Sequence, residues 1–119
     1  MTVKQSQQVE AVDVNGAVQT TRQVLISLQE APNFALRRFV MQPGGGMPRH
    51  TNTVEHEQYV LTGQAHITIG TEEFDVQAWD VVFIPEGVAH SYQNSGAGTF
   101  EFLCIVPNKQ DVSTILPAC

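Results

Sequence analysis

Apolar residues along this chain fall in short, β-branched runs that recur roughly every 8–12 residues with turn formers between them, and no stretch keeps a sustained helical repeat. The rhythm predicts strands near 9–14, 17–28, 35–42, 48–53, 56–62, 64–70, 73–76, 80–85, 89–94 and 99–106. Asn15-Gly16, set between Val14 and Ala17, predicts a two-residue type I′ hairpin turn with positive φ at both residues. Pro43-Gly44-Gly45-Gly46 predicts a loop, and Gly63, Gly70, Pro85-Glu86-Gly87 and Gly96-Ala97-Gly98 separate the remaining runs. Period-two alternation then assigns faces. His66 shares parity with Gln64 and Thr68, which places it outside; an outward Glu101 turns Phe100, Phe102 and Cys104 inward. Glu55 and Glu57 straddle His56 and point away from it, toward solvent.

Length makes this one domain: 119 residues at 42% hydrophobic supply a single core. We divide the chain into N-terminal strands over 1–34, a barrel over 35–107 and a tail over 108–119. The tail follows Pro107 and ends in an apolar ILPAC, which leaves open whether it frays or docks on the barrel or a partner. No run approaches the roughly 18 consecutive apolar residues of a membrane span. The first ten residues lack the basic-then-apolar profile of a secretory signal, so a soluble, cytoplasmic protein is expected. Twelve acidic against six basic side chains give a formal charge of −6, which repels nucleic-acid phosphates and anionic lipid. The two cysteines, Cys104 in an apolar run and Cys119 at the last position, do not make a disulfide framework, and both are expected to be free.

The chemistry concentrates in two strings, HTNTVEHEQYVLTG (50–63) and WDVVFIPEGVAHSYQN (79–94). On strands, His50 and Asn52 project together, as do His90, Tyr92 and Asn94. If these strands face one interior, the imidazoles of His50, His56 and His90 converge. Three neutral nitrogens hold a divalent transition metal and leave positions open for water or substrate.

The two strings resemble the paired motifs of the cupin family. Gly44 precedes His50 by the first motif's five-residue gap, His50-Thr51-Asn52 occupies its His-x-His position, His56 its glutamate position, and Gly63 closes it. Pro85, Gly87, His90 and Asn94 match the second motif, with Trp79 in place of its first glycine. The resemblance covers residues 35–106. It is strongest, through EHEQYVLTG, APNFALRRF and EFLCIVP, toward small single-domain cupins that bind manganese with four histidines. It implies an all-β, double-sheet jelly-roll barrel, a homodimer formed by exchange or edge pairing of N-terminal strands, and a metal held by His50, His56 and His90. Asn52 stands where that group has another histidine. Its amide oxygen either binds weakly or hydrogen-bonds a metal-bound water. Mn, Fe, Ni, Cu and Zn all accept such a set, and affinity alone favours Cu and Zn over Mn.

Tyr92, Phe102 and Cys104, with Arg37 if its parity with Phe39 and Met41 holds, would wall a pocket for a small ring compound; the competing reading is that the apolar members only fill the core. Asn94 reads as structural, Trp79 as a packing residue or dimer contact, and Cys104 as an inert buried thiol more than a nucleophile. The resulting expectation is a mononuclear oxygenase acting on a small aromatic or unsaturated substrate. The alternatives are a small-molecule binding or sensing module and a zinc-dependent hydrolase or isomerase.

Overall fold

The alternating segments form ten strands in the computed structural model, which describes residues 1–117. They are β1 (Ala11–Asp13), β2 (Val18–Ile26), β3 (Phe34–Asn52), β4 (His56–Thr62), β5 (Gln64–Ile69), β6 (Glu72–Gln77), β7 (Val81–Ile84), β8 (His90–Asn94), β9 (Phe100–Pro107) and β10 (Ser113–Ile115). Pairing is antiparallel in the order β6-β5-β8-β3-β9-β4-β7, with β2 and β10 also on β3 and β1 on β2. The sheet curls into the all-β jelly-roll barrel that the sequence predicts. Side chains alternate as the strand period requires: His90, Tyr92 and Asn94 are buried on β8, as are Phe100, Phe102 and Cys104 on β9, while Glu101 lies outside and pairs with Arg38. His66 is likewise on the outer face, bonded to Asp75 and Glu73.

Four local expectations need correction. Pro43–Gly46 is not a loop but the middle of β3, a single strand of 19 residues. Glycine makes this continuity possible, because a Cβ on Gly46 would collide with the Tyr92 carbonyl and one on Gly45 would stand 2.8 Å from the carbonyls of Gln42 and Val18. The strand therefore bends between layers without breaking, and its register against β8 shifts between Met47 and His50. The turn at Asn15-Gly16 has positive φ at Gly16 and not at Asn15, so it is not type I′. Trp79 does not pack within the chain, so of its two readings only the dimer contact stands: it is 79% exposed and holds φ +77 in a turn, a left-handed conformation that explains why the motif favours glycine here. Finally, Glu57 points away from His56 as expected, yet its Oε2 is buried without a partner rather than solvated. Burial, then Glu55, raises its pKa.

Asn94 ties the barrel end together. Its Nδ2 donates to the carbonyls of Met41, Gln42 and Gly98 at 3.1, 3.1 and 2.9 Å, and its Oδ1 accepts from Gly96 N–H at 2.9 Å. Replacing it with alanine strands these backbone groups, and we expect a loss of about 2 kcal/mol by urea denaturation.

Candidate metal centre

Three strands bring the histidines to one cavity of about 200 Å³ inside the barrel. β3 and β8 pair with His50 opposite His90, and β4 enters with His56. Ring centroids are 4.2 Å apart for His50 and His90 and 5.7 Å for His56 and His90. Nδ1 of His50 lies 2.7 Å from the Pro48 carbonyl, and Nδ1 of His90 lies 3.0 Å from that of Val88. A carbonyl only accepts, so each Nδ1 carries the proton and each Nε2 keeps its lone pair. His56 sets Nδ1 3.6 Å from Cys104 Sγ. Nε2 of His56 and of His90, with Oδ1 of Asn52, are buried and have no hydrogen-bond partner. An unsatisfied polar atom in a protein interior is costly, and here three such atoms border one cavity.

Burial above all keeps the His56 and His90 rings neutral. Burial first, then the Arg37 charge and the other two imidazoles, pushes His56 down to about 3. Burial and the neighbouring His50 push His90 down to about 4, against opposing contributions from the Val88 hydrogen bond and Asp111. Neutral imidazole is the form that ligates a metal. The donor set therefore fits a divalent cation in its chemistry. Among the described residues, however, no group of three or more His, Cys, Asp or Glu is already arranged around a common ion position.

The wall is aromatic. Phe39 and Phe102 stack at 5.0 Å, and Tyr92 and Phe102 at 5.4 Å. Gln58 Nε2 donates to Tyr92 Oη at 2.7 Å. Burial raises the Tyr92 pKa, so its hydroxyl stays protonated. Arg37 does face inward. It lies over the Phe39 ring at 5.2 Å and donates to Cys104 Sγ at 3.3 Å, so an aromatic face and a sulfur hold it there. Cys104 itself sits behind His56 and does not line the cavity. Burial raises its thiol pKa, and it is free; Cys119 lies outside the described residues.

The Cupin domain family model matches residues 37–106. The chain belongs to the cupin family. This cupin is similar over 98% of its length to the polyketide cyclase RemF from Streptomyces resistomycificus, with 29% identity, 87% of that chain covered and a TM-score of 0.87. It is 30% identical over 70 residues to an oxalate-binding protein of Thermotoga maritima, covering 58% of each chain. It is 32% identical over 76 residues to a mannose-1-phosphate guanylyltransferase of Klebsiella pneumoniae, where the match takes 62% of this chain but only 16% of that enzyme.

Sequence reasoning missed four polar residues of this cupin's cavity: Arg22, Gln58, Asp111 and Ser113. Gln58 was within reach, since it stands two residues from His56 on the same strand face. Arg22 arrives across the β2–β3 pairing opposite Phe39. Its pKa is lowered by burial and then by Arg37, and raised by Asp111. Nothing local marked Asp111. No helix among the described residues is long and apolar enough to cross a membrane.

Proposed function

We propose that this cupin is a mononuclear metal-dependent enzyme. His50, His56 and His90 would hold one divalent transition metal, and a small aromatic or unsaturated compound would lie against Tyr92 and Phe102 near Arg37. The observation that carries this reading is the set of partnerless buried polar atoms, Nε2 of His56 and His90 and Oδ1 of Asn52, around one aromatic-walled cavity. When bound, the ion would supply Lewis acidity to a coordinated oxygen or, if redox-active, an electron path between substrate and O₂. The protein's own side chains do the rest. Tyr92, Phe39 and Phe102 exclude water and stack on a ring, and Arg37 places a fixed positive charge where an enolate or phenolate oxygen would develop. The buried Tyr92 hydroxyl acts as a donor and not as a base.

Two reaction types suit this site. Similarity to a polyketide cyclase over nearly the whole chain favours redox-neutral ring closure of an oxygen-rich, enolisable substrate. The three-nitrogen set with open positions favours oxygenation. Protein reconstituted with Mn, Fe, Ni, Cu or Zn should be assayed against phenolic, alkenyl and poly-β-carbonyl compounds with and without O₂, following oxygen uptake and product mass. Product of unchanged oxidation level under anaerobic conditions supports cyclisation, and oxygen uptake supports an oxygenase. Thermal stabilisation by a compound without turnover would replace both with a binding module.

A homodimer belongs to the same proposal. Tyr59, Val81, Phe83 and Ile105 form an exposed apolar patch on the outer face of β4, β7 and β9, which supports association through this face as well as through N-terminal strands. Light scattering coupled to size exclusion tests it; a monomer at high concentration removes it.

A further inference from the structure

The only carboxylate among the described residues lining the cavity comes from the C-terminal segment and not from either histidine motif. β10 returns to β3 and pairs with the strand that carries the first motif, setting Ser113 opposite Asn52 and Ile115 opposite His50. Thr53 fastens the approach. Its Oγ1 donates to the Gln110 carbonyl at 2.9 Å and accepts from the Val112 N–H at 2.8 Å. Beyond the pairing, Leu116 N–H donates to the Arg49 carbonyl at 2.9 Å. Asp111 is thus held between two anchored points, and its Oδ1 and Oδ2 lie 3.2 and 3.4 Å from Asn52 Nδ2.

That contact decides which way the Asn52 amide faces. An ionised carboxylate can only accept, so the amide NH₂ must meet Asp111. The amide oxygen is consequently the other atom, and Oδ1 is buried with no partner in a side chain that is itself only 8% exposed. We infer that Asp111 is a positioning residue of the metal centre: it locks the Asn52 amide so that Oδ1 joins Nε2 of His56 and His90 as an oxygen donor. The inference rests on the metal-binding reading above. A neutral amide is a weak donor, but one whose N–H donates a hydrogen bond to an anion becomes more basic at oxygen, as ligating side chains do when an outer carboxylate accepts a hydrogen bond from them. In this way the C-terminal segment compensates for the imidazole that Asn52 replaces.

Cobalt(II) titration of the metal-free protein, read by visible absorption, provides the test. Asp111→Ala should weaken Co²⁺ binding about tenfold, the low end for loss of an outer partner of a ligand. It should also change the absorption band in the way that Asn52→Ala changes it. The double variant should bind no more weakly than Asn52→Ala alone, because Asp111 acts through Asn52. Asp111→Asn keeps an oxygen able to accept from Nδ2 and should recover part of the affinity. Should the alanine variant fail to fold, Asp111→Ser, too short to reach the amide, gives the same comparison. Wild-type affinity and band in Asp111→Ala, or losses that multiply in the double variant, overturn the inference. His56→Ala and His90→Ala separate the two levels. If both still bind Co²⁺ normally, the three-histidine reading fails; if they lose it while Asp111→Ala does not, only the role of Asp111 fails.

Discussion

His90→Ala is expected to reduce affinity for a divalent metal by at least about 100-fold, beyond the 10–100-fold range typical of outer-sphere partners. His90 occupies the centre of the cluster. Its ring lies against both other imidazoles, at 4.2 and 5.7 Å, and against Tyr92 at 5.8 Å. Its Nδ1 is committed to the Val88 carbonyl, so the lone pair on Nε2 has no other task in the protein. On the proposed reading, removing the ring would therefore take away a ligand and not a structural hydrogen bond of comparable worth. Elemental analysis after purification without added metal or chelator, followed by isothermal titration, checks this. Unchanged stoichiometry and affinity in His90→Ala would place the ion elsewhere or nowhere. The same variant should abolish turnover in whichever assay reveals an activity.

The second large effect is a loss of stability of the metal-free protein in acid. His56 and His90 have folded-state pKa values of about 3 and about 4, below the ordinary value of 6.5, chiefly because burial disfavours the imidazolium. Between those values the unfolded chain binds more protons than the folded one, so stability rises with pH. The stability is fully present above about 6.5 and is withdrawn as pH falls toward 4 and then 3. Each pKa unit corresponds to about 1.4 kcal/mol, so between pH 6.5 and 4.5 the two sites together withdraw on the order of 5 kcal/mol, comparable to the whole stability of many domains. Urea denaturation of the metal-free protein at pH 7, 6, 5 and 4.5 should show a falling midpoint with proton uptake on unfolding. His56→Ala should flatten that dependence even though it lowers stability at pH 7 by leaving a cavity. A midpoint independent of pH over this range, or one that rises in acid, contradicts the desolvated arrangement of the rings.

Much of the site was legible because strands have a period of two and motif spacing is fixed. His50 with Asn52, and His90 with Tyr92 and Asn94, share faces by backbone geometry alone, and the barrel delivered them to one side. Arg37 followed from parity with Phe39 and Met41. Cys104 shows the limit of the same rule. Parity predicts that it points inward, and it does, but not which layer it reaches; it ends behind His56. The loop expected at Pro43–Gly46 failed for a related reason. Composition signals flexibility of the backbone, and here that flexibility serves a bend within β3 and a close approach to Tyr92, not a break.

By itself the sequence determined the all-β class, the inward and outward faces of the strands, and the family-spaced histidines, because each depends on neighbours a few positions apart along a backbone of fixed pleat. Only the tertiary structure decided that the tail, whose docking the sequence left open, would return to the first-motif strand and bring Asp111 to Asn52, 59 residues away. A strand of three residues is too short to carry a periodic signature of its partner. Its place is chosen by which strand edge still has unpaired N–H and C=O groups, and that edge exists only once the barrel has closed.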